Sequence, residues 1–136
     1  AVTMRRTRIT DIVDPKTFRG DASLTVLCNR NLVCLLFDIL RKQTSNGEME
    51  VEADLMNDGY VRFFVSMFSF LHDRNDLQRL FMPESSRSIP FLLCRQIIRD
   101  HSEGTSHRGC GIFARQDESG AVVVEFTLPA ADNVMQ

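Results

Sequence analysis

The order of apolar and polar positions along the chain predicts a series of strands and helices that begins with a strand–helix pair. Residues 23–28 are β-prone, and the next segment has apolar residues at positions i, i+3, i+4, i+7 and i+8, the spacing of an amphipathic helix. These apolar residues are Leu32, Leu35, Leu36, Ile39 and Leu40. Asn29 or Asn31 can cap the predicted helix, which we expect to end near residues 44–47.

Two β-hairpins follow, one on each side of a second long helix. Residues 49–55 and 60–68 alternate or are strongly apolar, and the turn sequence at residues 57–59 separates them. A second hairpin has its turn at residues 118–120, and an apolar helix is predicted over residues 89–101. The more apolar strand of the first hairpin should be central. This order predicts an α+β fold: a two-layer sandwich with a mostly antiparallel sheet and helices on one face.

Length, charge and cysteine content narrow the class of protein. The chain has 136 residues, enough for one domain with its own core. We interpret residues 1–22 as an N-terminal arm or lead-in strand and residues 23–136 as the domain. The net charge of −2 argues against a nucleic-acid partner. No segment approaches the roughly 18 uninterrupted apolar residues of a membrane span, so we expect a cytoplasmic domain with reduced thiols.

The N-terminal segment carries a basic run formed by Arg5, Arg6 and Arg8. These side chains can contact an acidic partner, or they can solvate a flexible arm. We prefer the flexible arm, because the segment has little hydrophobic periodicity.

Three segments resemble the histidine-kinase-type ATPase domain, also called the GHKL or Bergerat domain. LLFDILRKQ at residues 35–43 has the shape of the family's first-helix box, which reads roughly N-L-L-x-N-A. VSMFSFLHDRNDLQRLF at residues 65–81 overlays the family's central strand, V-x-D-x-G-x-G-I, and the helix after it. IPFLLCRQIIRDH at residues 89–101 overlays the last helix, which opens with G-L-G-L. The resemblance spans residues 23–129 and extends to a divergent bacterial subgroup in which such domains terminate larger sensor-like proteins.

The resemblance implies a nucleotide pocket in which the residues that grip ATP are replaced. Met67 stands where the family has its adenine-binding aspartate, and Ser69 and Leu71 stand where it has glycines. Loss of such a charge-assisted hydrogen bond costs about 1.5 to 3 kcal/mol. Ser88 and Pro90 occupy the phosphate-binding G-L-G-L segment, and a proline has no N–H to offer. We therefore expect these positions to form a non-functional pocket without a cofactor.

Candidate metal ligands are few. Asp38 corresponds to the family's Mg²⁺-binding asparagine, although a shifted register would place Lys42 there, and an ammonium group cannot bind a cation. We expect no metal site, with Asp38 as a ligand only if Mg²⁺ is retained. His101, His107 and Cys110 lie close in sequence, but their spacing matches no common zinc set. His101 is expected to end a helix, where an imidazolium suits the helix dipole.

An apolar stretch coincides with the segment where the family keeps a polar nucleotide site. Its members are Phe64, Met67, Phe68, Phe70, Leu71 and Met82. We prefer the interpretation that these side chains fill the vacated pocket as part of the core. The alternative is an apolar groove that receives a partner.

The sequence therefore predicts a non-catalytic, histidine-kinase-like domain, a pseudokinase that serves as a signalling or protein-interaction module of a bacterial sensor in a two-component system. Its expected partners are neighbouring domains, a response-regulator-like protein or a second copy of the chain. No G-x-S-x-G, P-loop or H-E-x-x-H segment suggests another enzyme. The alternative is an ATP-binding sensor histidine kinase catalytic domain that uses Asp38 with Arg41 or Lys42 to hold Mg-ATP in a non-standard site. A third reading is an unrelated α+β binding domain.

Overall fold

The computed structural model of the protein describes residues 2–84, 88–103 and 111–131. In chain order its elements are β1 (Arg5–Arg8), β2 (Phe18–Gly20), β3 (Thr25–Cys28), α1 (Arg30–Arg41), β4 (Met49–Leu55), β5 (Tyr60–Met67), α2 (Ile89–Glu103), β6 (Ile112–Gln116) and β7 (Val122–Pro129). The short helical stretch after β5 is a single 3₁₀ turn, Leu77–Arg79. Within these residues no helix is long and apolar enough to cross a membrane.

The strands form one five-stranded sheet and one two-stranded sheet. The larger sheet has the order β2-β4-β5-β7-β6, in which β2 is parallel to β4 and the other pairs are antiparallel. Both predicted hairpins, β4–β5 and β6–β7, are present, and β5 is central as expected. The predicted mostly antiparallel sheet is therefore confirmed, with β2 as a parallel addition at one edge.

Aromatic packing joins the sheet to the helices. Phe63 of β5 and Phe126 of β7 are paired on adjacent strands, and their rings stack with centroids 4.9 Å apart. Phe37 of α1 meets both rings edge-on, at 6.2 Å and 5.7 Å. Because each such side chain contributes about 1.5–3 kcal/mol when fully buried, this cluster anchors the helix layer. The two-layer α+β sandwich is confirmed.

Local hydrogen bonds set the limits of α1. The Asn29 side chain accepts a bond from the Leu32 amide at 3.1 Å, so Asn29 is the cap. The helix ends at Arg41, earlier than the predicted end near residues 44–47. The Thr44 hydroxyl donates to the Arg41 carbonyl at 2.7 Å, and Thr44 forms a β-bridge with Phe70. Because of this long-range pairing, the chain leaves the helical conformation before Thr44.

The basic run near the N-terminus lies in a strand. Arg5–Arg8 form β1, which pairs antiparallel with β3, and Thr7 is buried opposite Val26. The interpretation of this run as a flexible arm is therefore wrong, because strand pairing fixes its backbone.

Candidate functional site

The chain turns back onto the end of α1 directly after β5. Met67, the last residue of β5, is 0% exposed. The Ser45 amide then donates to the Ser69 carbonyl at 3.0 Å, and the Leu71 amide donates to the Gln43 carbonyl at 2.9 Å. The backbone after β5 is therefore tied to the segment that follows α1.

Side-chain contacts strengthen this connection. The Ser69 hydroxyl donates to Oδ1 of Asn46 at 2.7 Å, and Nε2 of His72 donates to Oε1 of Gln43 at 2.7 Å. Leu71 points outward and is 57% exposed. The structure thus places Met67 at the end of β5 and Ser69 and Leu71 in the turn that follows; Met67 is buried and Leu71 is exposed.

Four rings form what we call the aromatic cluster: Phe70, His72, Phe81 and Phe91. Phe91, from the first turn of α2, is 1% exposed and lies at the centre. Its ring centroid is 6.3 Å from that of Phe70, 5.4 Å from that of His72 and 5.6 Å from that of Phe81. The cluster therefore joins the segment after β5 to the start of α2.

The apolar stretch singled out in the sequence divides between the core and the surface. Met67 and Phe70 are buried, as expected for pocket-filling residues, whereas Phe68, Leu71 and Met82 are about half exposed. Phe64, the sixth member, is partly buried, so the core interpretation is correct for Met67 and Phe70, correct in part for Phe64 and wrong for the other three. The strand alternation of β5 and the turn after it explain the division, because successive side chains point to opposite sides.

Ser88 and Pro90 lie at the beginning of α2. The Ser88 carbonyl accepts a bond from the Leu92 amide at 3.2 Å, and Pro90 occupies the exposed first turn. A proline is favourable there, since its missing N–H would have no partner within the helix.

Asp38 lies on the exposed side of α1. Its Oδ1 accepts a bond from Nη1 of Arg41 at 3.1 Å, and the Asp38 and Arg41 side chains are 60% and 41% exposed. Such a surface ion pair is weak, so Arg41 orients the Asp38 carboxylate but holds it only weakly. Lys42, the residue of the alternative register, is also exposed.

Among the described residues, no group of three or more His, Cys, Asp or Glu side chains could hold a metal ion. His107 and Cys110, two of the residues considered for zinc, lie outside the described residues. Five of the surface concavities among the described residues have volumes of about 300 to 390 Å³, and none of these five is lined by Asp38, Met67, Ser69 or Leu71.

Solved structures with the same architecture are histidine kinase catalytic domains. The catalytic domain of the histidine kinase ThkA, in a nucleotide-free form, matches with a TM-score of 0.66 and 16% identity over 95% of this chain and 98% of that chain. The mycobacterial sensor histidine kinase MprB matches with a TM-score of 0.61 and 10% identity, covering 93% and 97% of the two chains. The fold is that of a histidine kinase ATPase domain. No protein-family model matches the sequence, and no curated protein matches it.

The three sequence motifs fall on elements in the order expected for the histidine kinase ATPase fold. The first-helix box falls on α1, the central-strand motif on β5 and the turn after it, and the last-helix motif on α2. Identity of 10–16% to these structures supports the fold alone.

The environment of His101 in this histidine kinase ATPase fold was not predicted from the sequence. It is 0% exposed, and its Nδ1 donates to the Ile97 carbonyl at 2.7 Å while its Nε2 accepts from the Asn29 amide at 3.0 Å. Burial lowers the pKa of His101, so the ring is neutral rather than an imidazolium at a helix end. Helical spacing from Cys94 and Ile97 was the available signal, since it places His101 on the apolar face of α2.

Proposed function

We propose that this domain is a non-catalytic, histidine-kinase-like signalling or interaction module of a bacterial sensor protein, and that it has lost ordinary ATP binding. The observation that carries the proposal is the aromatic cluster, which packs where the resemblance implies a nucleotide pocket.

On the adenine side, a buried thioether replaces a carboxylate. Met67 is fully enclosed by the core, and its sulfur is only a weak acceptor. Loss of a charge-assisted hydrogen bond of about 1.5–3 kcal/mol weakens binding by about 10- to 100-fold. A nucleotide would therefore lack the contact that selects adenine.

Entry of a base would also require the closed turn to open. The two backbone bonds between the segment after β5 and the segment after α1 would break, and Phe70 would leave its contact with Phe91. Re-exposing one buried phenylalanine costs about 1.5–3 kcal/mol, before the cost of unpaired backbone groups is added. This combined cost supports loss of binding more strongly than the Met67 replacement alone.

On the phosphate side, Pro90 removes one N–H donor from the start of α2. Helix starts bind phosphate through such backbone N–H groups. The first turn of α2 instead supplies Phe91 to the aromatic cluster, so this turn contributes to side-chain packing rather than to phosphate binding.

Exposed apolar side chains support an interaction role. Phe68, Leu71 and Met82 are about half exposed, and Ile89 is 78% exposed. These residues flank the members of the aromatic cluster along the chain, and exposed apolar surface of this kind favours a protein partner. A neighbouring sensor domain or a response-regulator-like protein in the cytoplasm would supply such a surface.

Isothermal titration with Mg-ATP tests the proposal. We expect no saturable heat up to millimolar nucleotide, and a Kd tighter than about 100 μM, or −5.5 kcal/mol, would contradict it. If binding occurs, titration of Asp38→Asn and Asp38→Ala would show whether the carboxylate holds Mg²⁺, as a kinase with a non-standard site requires. Lys16→Ala, a change at an exposed loop residue outside the motifs, is the control.

A further inference from the structure

Asn29 lies between the end of β3 and the first turn of α1 and connects three segments of the chain. Its backbone amide donates to Nε2 of His101 in α2 at 3.0 Å, and its side-chain Nδ2 donates to the Thr3 carbonyl at 3.2 Å. Its Oδ1 accepts from the Leu32 amide and caps α1. We call the contacts of Asn29 with His101 and Thr3 the Asn29 junction. This junction joins the N-terminal segment to both helices.

The contact between Asn29 and His101 requires a neutral imidazole ring. Nε2 accepts the Asn29 amide while Nδ1 donates to the Ile97 carbonyl, so a proton added to Nε2 would place two donors against each other. His101 is 0% exposed, so water does not reach Nε2 while the contact is intact. The Asn29 amide must therefore move away from a protonated ring. Because Asn29 directly follows Cys28, the last residue of β3, this movement acts on the end of β3.

The surroundings of His101 give the direction of the pH response. Burial lowers the pKa of the ring, and this effect exceeds the opposing effects of the bond to the Ile97 carbonyl and of the Asp100 charge. The unfolded chain and an opened junction therefore take up a proton more readily than the intact junction does. The junction is intact above about pH 6.5 and opens as the pH falls toward the pKa of the buried ring.

Titratable side chains also flank Asn29 on the neighbouring elements. They are Cys28 on β3, Arg30 on α1 and Arg5, which pairs with Cys28 from β1. Burial raises the pKa of Cys28 to about 11, so its thiol stays neutral below pH 8. Arginine keeps its charge throughout the same range. The pH response of the junction therefore comes from His101.

Of the elements that meet at the junction, β1 has the fewest buried side chains. It pairs with β3 in the two-stranded sheet, and of its four residues only Thr7 is buried. The helix α1 buries five side chains, Val33, Leu36, Phe37, Ile39 and Leu40. A two-stranded ribbon is only marginally stable by itself, and segments with few buried contacts open first. Loss of the Asn29 contact should therefore loosen β1 before it loosens either helix.

We propose that the Asn29 junction is a pH-sensitive switch that holds β1 on the domain and releases it when His101 is protonated. The five-stranded sheet and the two helices stay folded in the released state, because their side chains pack in the common core. The proposal concerns neither nucleotide binding nor a partner surface, so it does not rest on the proposed function.

NMR spectroscopy of the ¹⁵N-labelled domain from about pH 7.5 to about pH 4.5 tests this switch. Long-range ¹H–¹⁵N spectra follow the His101 ring, which should be the Nδ1–H tautomer at neutral pH. We expect the amide signals of Thr7 and Ile9 to move toward random-coil positions with the same midpoint as the ring, and the nuclear Overhauser contacts between β1 and β3 to disappear. The signals of Val65 in β5 and Val124 in β7 should keep their folded positions.

Three variants separate the contacts of the junction. His101→Gln keeps an acceptor for the Asn29 amide but cannot be protonated, so the β1 signals should no longer depend on pH. Asn29→Ser keeps a good cap for α1 but removes the Nδ2 donor to the Thr3 carbonyl, so the β1 amides should exchange about two- to tenfold faster at neutral pH. His72→Gln is the matched control, because His72 is an exposed histidine that contacts Phe91 at the other end of α2, and it should leave the midpoint unchanged.

Four outcomes would overturn the proposal. They are β1 signals that stay constant while the His101 ring titrates, a ring that stays neutral until the whole domain unfolds, loss of the Val65 and Val124 signals at the same midpoint as β1, and a β1 transition that persists in His101→Gln. The first three outcomes are read from the wild type, so the test holds even where a variant does not fold. None of the four involves nucleotide, so this proposal and the proposed function fail separately.

Discussion

Replacement of His101 by leucine tests the link between the two helices. Nε2 of His101 accepts the Asn29 amide and Nδ1 donates to the Ile97 carbonyl. Since a backbone N–H can only donate and a carbonyl can only accept, the ring must be the neutral Nδ1–H tautomer. Leucine has a similar volume but no acceptor, so it leaves the Asn29 amide unpaired at the start of α1.

The cost can be worked from these contacts. An unsatisfied, partly buried donor costs about 1–3 kcal/mol, and the lost bond to Ile97 adds about 0.5–1.5 kcal/mol. A near-isosteric change of shape adds less than about 1.5 kcal/mol. We expect His101→Leu to lower the free energy of unfolding by about 1.5–6 kcal/mol, and His101→Gln by less, because its amide oxygen can accept the Asn29 bond.

Protonation should act in the same direction as the substitution. Burial lowers the pKa of His101 below its usual 6.5, so the unfolded chain takes up a proton at a higher pH than the folded chain. The stabilisation is fully present above about pH 6.5 and is lost as the pH falls toward the folded pKa. The loss cannot exceed about 1.4 kcal/mol per pH unit.

Urea denaturation followed by far-UV circular dichroism, at pH 7.5 and pH 5.5, measures both effects. The wild type should lose stability between the two pH values, and the difference between wild type and His101→Leu should shrink at pH 5.5. The two other histidines remain in both proteins, so the difference isolates the contribution of His101. A cost below about 0.5 kcal/mol, or an unchanged difference at the two pH values, would refute the reasoning.

Two further predictions concern packing and thiol chemistry. Phe91→Ala should destabilise the domain by about 3–5 kcal/mol in the same urea assay, because it empties the centre of the aromatic cluster. Ile89→Ala, a change at an exposed neighbour, should alter the stability by less than about 0.5 kcal/mol. Similar costs for the two variants would contradict the central position of Phe91 in the aromatic cluster. Burial raises the pKa of Cys28 to about 11 and that of Cys94 to about 12, so iodoacetamide at pH 8 should label neither in the native state and both in urea. Mass spectrometry of the peptides reads this out, and rapid native labelling of Cys94 would count against its burial.

The main elements could be predicted because their signals are local. The i, i+3, i+4 spacing in α1 and the alternation in β4 depend only on neighbouring residues, and the turn of the first hairpin lies where the sequence puts it, at Gly59 with a positive φ of 88°. The sequence overlay also placed Met67 on the central strand and Ser69 and Leu71 after it, which agrees with the end of β5 at Met67. Whether those positions can bind a nucleotide stays a prediction.

Features that depend on distant residues could not be predicted in this way. The sequence interpretation missed β2, because its three residues form a strand only by pairing with β4. It also made α1 too long, because the bridge between Thr44 and Phe70 joins positions that are far apart in sequence. The environment of His101 depends on an amide 72 residues away.

The sequence by itself determined the type and order of the main elements from β3 to β7, since these follow from short-range periodicity. The tertiary structure decided which of the apolar residues after β5 enter the core, where the arginines of β1 lie relative to α1, and why His101 is neutral. The physical reason is that burial and charge state depend on neighbours that only folding brings together, and their free energies are set by solvent exclusion rather than by the local chain.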